Sequence, residues 1–165
     1  ALPDVYGGFG TSLRFHGVDF SIGFTYQLGG QVLDQGYMFY MGSPAGTSTG
    51  NNYHHDLLNS WTPENSGSNI PRFAYNDSDQ AAISDRVLTS ASYLNIQNIT
   101  LGYTLPKRIT RKFLVENLRI YLACDNVWYW SKRQGLDPRQ AINGITNPYY
   151  YAPIRTFSGG VTVTF

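Results

Sequence analysis

Between Val18 and Leu28 the chain alternates without an exception. Val18, Phe20, Ile22, Phe24, Tyr26 and Leu28 fall on one side, and Asp19, Ser21, Gly23, Thr25 and Gln27 on the other. Successive side chains of a strand point to opposite faces, so this segment reads as a strand with one apolar face and one polar or bare face. Phe9, Leu13 and Phe15 alternate in the same way with Gly10, Ser12, Arg14 and His16. So do Ile99, Leu101, Tyr103 and Leu105, then Leu118, Ile120, Leu122 and Cys124, and finally Phe157, Val161, Val163 and Phe165. The pattern predicts an all-β chain of antiparallel up-and-down strands at about 7–16, 18–28, 93–105, 117–128 and 155–165. Each is close to the roughly 9–11 residues that a tilted strand needs to cross a bilayer. Long connections fill about 29–92 and 131–153, with Gln31 to Met41 read as an upward extension of the second strand.

Alternation also suits a soluble sandwich, so the placing of aromatics matters. If the tight connection at Gly17 faces the periplasm, Tyr26, Trp128 and Phe157 fall near the upper rim of the apolar band. Phe15, Phe20, Tyr103 and Phe165 fall near the lower rim, with Ile22, Leu101, Ile120, Leu122 and Val161 between. Two aromatic girdles around an aliphatic band are what a membrane barrel wall requires. The connections agree: short below, at Gly17 and from Pro106 to Asn117, and long above. Charged residues make up only 14% of the chain and aromatics 15%, an unusual mixture for a cytosolic domain. A net charge of +1 gives no general pull toward nucleic acid, and the single Cys124 supplies no disulfide or metal set. No apolar run is long enough for a membrane helix. An odd set of five strands does not close a bacterial barrel, whose strand number is even and at least eight. The expectation is therefore the C-terminal part of a larger barrel, with the missing strands N-terminal. The alternative is a soluble β-sandwich carbohydrate-binding module.

The run Tyr93-Leu94-Asn95-Ile96-Gln97-Asn98-Ile99-Thr100-Leu101-Gly102-Tyr103-Thr104-Leu105-Pro106 resembles the SYLRIKNITLGYTLP signature of SusC/RagA-like TonB-dependent transporters. Pro3 to Phe9, Val18 to Ser21, Leu118 to Val127 with Gly135 to Pro138, and Pro153 to Phe165 resemble further stretches of that family in the same order. Trp61 to Asn65 and Ser84 to Leu88 resemble its loop before the signature strand. Leu136, Arg139 and Gly159 depart from it, standing where Tyr, an acid and an aromatic are usual. The resemblance implies the last strands of a barrel of about 22 strands, in the outer membrane of a Gram-negative bacterium. It implies import of glycans or other nutrient oligomers, including peptides, driven by the TonB complex through an absent N-terminal region. It also implies a SusD-like surface lipoprotein as partner. The 165 residues by themselves are not expected to transport.

No enzymatic chemistry stands out. His54-His55-Asp56 are adjacent rather than one helical turn apart, and read as a solvated loop instead of a metal site. Asp77, Asp79 and Asp85 lack the regular spacing of a calcium loop. Glu64 with Asp56 has no positioning for glycoside hydrolysis. No phosphate loop or nucleophile elbow is present, and no cofactor is expected. The upper aromatics Tyr53, Trp61, Trp128, Trp130, Tyr149 and Tyr150 are candidate substrate contacts, because rings stack on sugar faces and peptide side chains. The competing reading places such rings in the upper girdle or against a partner. Arg14, His16, Asp19, Arg119 and Asp125 share the polar side of their strands and are expected to face the lumen. The basic turn of Lys107, Arg108, Arg111 and Lys112 reads as lying near lipid head groups.

Overall fold

The structure is a computed structural model that describes residues 2–42, 50, 52–133, 135–141, 143–147, 149 and 151–165, without the side chains of Ser78, Ala81 and Gln140. Among the described residues, seven strands form two antiparallel sheets. The large sheet contains β1 (Val5–Phe15), β2 (Val18–Leu28), β5 (Tyr93–Thr104), β6 (Asn117–Ser131) and β7 (Thr156–Thr164), in the order β1-β2-β5-β6-β7. The small one pairs β3 (Gln31–Leu33) with β4 (Leu88–Ser90). The expectation of an antiparallel all-β chain therefore holds. β1 and β7 are the outer strands, and the sheet is open.

Register converts the sequence alternation into rows. On one face Phe15, Val18, Tyr103, Ile120 and Val161 lie side by side across the five strands. The next rows are Leu13, Phe20, Leu101, Leu122 and Gly159, then Thr11, Ile22, Ile99, Cys124 and Phe157. Phe9, Phe24, Ile96 and Trp128 follow, and Tyr26, Leu94 and Trp130 complete the upper end. Gly159 is bare where Leu122 leans over it: a β-carbon there would lie 3.1 Å from Leu122 Cδ2. The opposite face carries Ser12, Ser21, Thr100, Ala123 and Ser158 in one row, and Gly10, Gly23, Asn98, Asp125 and Thr156 in another.

One irregularity keeps the faces pure. Ile96 and Ile99 are three residues apart, which strict alternation would send to opposite sides. The ladder shifts register between Ile96 and Asn98, so Gln97 is an extra residue and both isoleucines reach the apolar face. The partner strand turns at the same level through Asn126, which has φ 51° and donates its side-chain amide to the Ile154 carbonyl. The β1–β2 connection is a two-residue hairpin in which His16 and Gly17 both have positive φ, the hand that matches strand twist.

The apolar face of the large sheet has no covering layer. On the apolar face Leu122 is 66% exposed and Phe157 76%, whereas Asn95 on the polar face is 3% exposed. The buried apolar residues lie instead in the connections: Val32, Ala91 and Ala141 pack together with Leu136 against them, and Met41 and Val87 are also buried. Gln31 to Met41 does not extend β2. Gly29 and Gly30, both at positive φ, turn the chain out of the large sheet; β3 joins β4 instead, and Asp34 then caps the helix α1 (Gln35–Tyr40).

On the polar face Arg119 reaches across β5 to Asp19 on β2. Its Nε and Nη2 donate to the two carboxylate oxygens at 2.9 and 2.6 Å. Gly102 lies beneath, and a β-carbon there would sit 2.5 Å from both Arg119 Nη2 and Asp19 Oδ1. Gly160 makes the same allowance for the Tyr121 ring. Gly102→Val is expected to separate the pair and destabilise the protein by about 1–3 kcal/mol. Denaturant unfolding measures this, and in an Asp19→Asn/Arg119→Gln background the added penalty should shrink.

Candidate functional site

Two groups of chemistry-bearing residues emerge, one on the polar face and one in the connections above the sheet. Arg14, Asp19, Arg119 and Asp125 all stand on the polar face, and His16 occupies the hairpin at its lower end. The structure brings Arg14, His16, Asp19 and Arg119 around one hollow with Thr104 and Asn117; Asp125 lies higher, opposite Asn98 and Thr156.

The upper group is built from α1 outward. Asp34 precedes the helix, and its Oδ1 accepts the Tyr37 amide at 2.9 Å, satisfying one of the amides that a helix start leaves unpaired. Its Oδ2 accepts from Arg133 Nη1 at 3.0 Å, and the Arg133 guanidinium lies over the Tyr37 ring at 3.9 Å from its centre. The Tyr37 hydroxyl donates to Asp56 Oδ2 at 3.0 Å. His54 packs edge-on against Tyr37, and its Nδ1 accepts the Asp56 amide. His55 Nε2 stands 3.0 Å from Asp56 Oδ1. These residues line a hollow of about 510 Å³ that also reaches Tyr40 and Leu136.

Sequence spacing alone did not bring His54, His55 and Asp56 into a ligand set. A tight turn does: His54 caps the 3-10 segment His55–Asn59, and one ligand atom of each residue lies within 4.8 Å of the others. The Asp56 carboxylate is already engaged by Tyr37, so the group is first a hydrogen-bonded loop brace. Asp77 accepts the Asp79 amide, capping the 3-10 turn Ser78–Ala81, and Asp85 stands at the start of the turn Asp85–Val87. Glu64 lines a different hollow from Asp56, one shared with Trp61, Arg72 and Phe73.

The candidate aromatics are dispersed. Trp61 borders that second hollow, while Tyr53 packs edge-on against Phe73, 5.5 Å between ring centres, with its hydroxyl buried and unbonded. Trp128 and Trp130 stand on the apolar face in rows with Ile96 and Leu94, and Arg155 lies over the Trp128 ring. Tyr149 is 80% exposed, and Tyr150 lies outside the described residues. Sequence reasoning missed Arg133 and Tyr37, whose pairing spans 99 positions for Arg133 and Asp34 and leaves no local pattern.

The two long connections are joined at further points. Leu33 bridges Ile145 in parallel, its amide donates to the Gly144 carbonyl, and the Thr146 hydroxyl accepts the Gln35 amide. Arg139, a departure noted above, pairs with Asp137, which is buried, and lies over the Tyr129 ring. That hydrogen-bonded carboxylate raises the Arg139 pKa against the opposing effect of burial.

The fold and polarity define an open sheet with one apolar face, one polar face and a structured layer of long connections. The comparisons with known proteins point the same way. No protein-family model matches the chain. TonB-dependent receptor P3 of Formosa agariphila is 27% identical over 173 residues, spanning 99% of this chain and 16% of that protein. TonB-dependent receptor P26 of the same organism is 27% identical over 176 residues, spanning 99% and 17%. Among solved structures, the RagAB peptide importer in its closed-closed state aligns with a TM-score of 0.83 at 25% identity, over 99% of this chain and 17% of that one. Its open-open state gives 0.81 at the same identity and coverage. The chain is homologous, at the level of the family, to SusC/RagA-type TonB-dependent transporters. It spans about a sixth of the length of these relatives.

Removing Arg133 leaves Asp34 buried beside only one amide donor. Arg133→Ala should open the loop layer by about 2 kcal/mol, less than for a fully buried pair because Arg133 is partly exposed. Hydrogen exchange at the Leu33 and Gln35 amides should speed up roughly thirtyfold. Burial raises the Tyr37 pKa above its ordinary 10.0, and its bond to Asp56 and that carboxylate's charge push the same way. Because the folded value is raised, the associated stability is fully present below the unfolded value and is lost as pH rises through the folded one. The stability difference between wild type and Tyr37→Phe should therefore hold steady up to about pH 10 and narrow above it. Denaturant unfolding followed by tryptophan fluorescence reads this out.

Proposed function

We propose that this chain is a C-terminal section of the wall of a SusC/RagA-type TonB-dependent transporter in the outer membrane of a Gram-negative bacterium. The observation that carries the reading is the continuous apolar face, left uncovered across all five strands of the large sheet, with Leu13, Leu101, Leu122, Trp128 and Phe157 among its exposed side chains. A sandwich would cover such a face with a second sheet; the small sheet here has strands of three residues and belongs to the loop layer. The dimensions agree. An 11-residue strand such as β2 is about 36 Å long, and a barrel tilt of about 45° reduces this to about 26 Å, near the height of an outer-membrane apolar band.

In this reading the apolar face meets lipid, and Arg14, His16, Asp19, Arg119 and Asp125 border the lumen. The outer strands β1 and β7 pair with further strands of a barrel of about 22. The segments 29–92 and 131–153 form two extracellular loops. The cargo is an oligomeric nutrient, a glycan or a peptide; the peptide importers among the similar structures favour including peptides. A SusD-like lipoprotein caps the barrel, and the TonB complex acts through a part of the protein other than this wall. Tyr53, Trp61, Tyr149 and Tyr150 are the candidate substrate contacts among the loops. Trp128 and Trp130 belong to the upper aromatic girdle, because they share the face of Ile96 and Leu94. The wall has a supporting role in transport and no catalytic one.

Spin labels in the full-length protein test the assignment of faces. Labels at Phe20, Ile22 and Phe24 should be accessible to oxygen dissolved in lipid, and labels at Ser21 and Thr25 to a water-soluble relaxer. The reverse pattern, or water at all five positions, would defeat the proposal. Ile22→Arg should destabilise the protein by about 2–4 kcal/mol if it lies near the bilayer midplane, and Ser21→Arg by far less.

A further inference from the structure

The connection between β5 and β6 carries a concentration of charge that the wall itself does not need. Lys107, Arg108, Arg111 and Lys112 fall within six residues, on α2 (Lys107–Thr110) and the 3-10 turn Arg111–Phe113 that continues it. All four are exposed, and Thr110 is the residue of this turn that faces inward, at 3% exposure. Ile109, Phe113 and Leu114 are exposed beside the cations, with Leu114 held in a left-handed conformation at the end of the turn. A turn folded for water alone would not present three large apolar side chains among four cations.

The turn belongs to the lower end of the sheet. The Thr104 amide donates to Gly17 O of the β1–β2 hairpin, and the Glu116 amide to Thr164 O near the end of β7. Phe15 and Phe165 are exposed at the same end. Charge is strongly sorted along the strands. The lower end holds six cations (Arg14, Arg119 and the four of the turn) against two acids, Asp19 and Glu116; Asp19 is already paired with Arg119. Everything above holds six cations against nine acids. The chain's net charge of +1 thus conceals about four positive charges at one end and three negative at the other.

We infer that this turn is a docking site for anionic phospholipid head groups in the membrane leaflet at the lower end of the barrel. The inference rests on the reading of the sheet as a membrane wall. Ile109, Phe113 and Leu114 continue the apolar face into the acyl boundary, and the four cations reach the phosphates just outside it. Each cation near an anionic surface contributes about a fivefold gain in binding at low salt, less as salt screens it. The arrangement fixes the depth of the wall in the bilayer at the end where connections are short. A zwitterionic lipid supplies the same acyl environment without the net charge, so the site discriminates by head group.

The test uses the full-length protein in nanodiscs of phosphatidylethanolamine with a minor fraction of phosphatidylglycerol. Native mass spectrometry counts the phosphatidylglycerol retained as lipid is stripped away. Wild type should retain it in excess of its share. Arg108→Gln/Arg111→Gln should lower that enrichment at least tenfold, and Arg108→Lys/Arg111→Lys should preserve it. Intact barrel mobility on unheated gels shows that each variant is folded. Retention unaffected by the glutamine variant overturns the docking site while leaving the wall reading in place. Failure of the protein to enter nanodiscs overturns both.

Discussion

The β1-β2-β5-β6-β7 ladder allows an apolar surface to remain uncovered on one side while the backbone of its interior strands stays paired. In the interior of that sheet, backbone amides and carbonyls pair with neighbouring strands, and an unpaired group in lipid would cost several kcal/mol. With the ladder in place, the choice of side chains is free to invert the usual rule. Leucine, isoleucine and phenylalanine point outward, while serine, threonine, glycine and asparagine fill the other side. Among the described residues, the buried apolar side chains all lie outside the large sheet. The small core around Val32, Ala91 and Ala141 serves the connections instead.

Keeping the two faces pure across strands of unequal length requires local corrections. The extra residue Gln97 returns Ile99 to the apolar side, and without it Leu101 and Tyr103 would point to the polar one. Glycine makes room where a long side chain crosses a strand. Gly102 lies under the Asp19–Arg119 pair, and Gly160 under Tyr121. These positions link backbone bareness to electrostatics: the two-pronged contact of Arg119 with Asp19 forms only because β5 offers no side chain between them.

Above the sheet, the long connections behave as one structured layer. Their union depends on contacts between segments distant in sequence: Asp34 with Arg133, Leu33 with Gly144 and Thr146, and Gln35 with Thr146. In the proposed transporter such a layer presents a fixed outer surface to cargo or to a capping partner. The lower end contrasts with it, having short turns and an excess of cations. The two ends of the sheet therefore carry different chemistry.

Much of the sheet was legible because strand alternation is a local property, readable two residues at a time. Val18 to Leu28 states both faces by itself, and the tight connection at Gly17 marks the first two strands as an antiparallel hairpin. The bulge at Gln97 was visible only as a broken rhythm between Ile96 and Ile99, since its meaning depends on the strands alongside. The course of Gln31 to Met41 was misjudged because β3 pairs with β4, more than fifty residues away, and because Gly29 and Gly30 turn the chain aside. The upper site was still less accessible. His54, His55 and Asp56 are neighbours in sequence, but Tyr37 and Arg133 reach them only through the packing of two separate connections. The sequence by itself determined which side chains face apart along each strand, because that is dictated by backbone geometry. Only the tertiary structure decided which loops meet and which charges pair, because those contacts arise where distant segments are brought together.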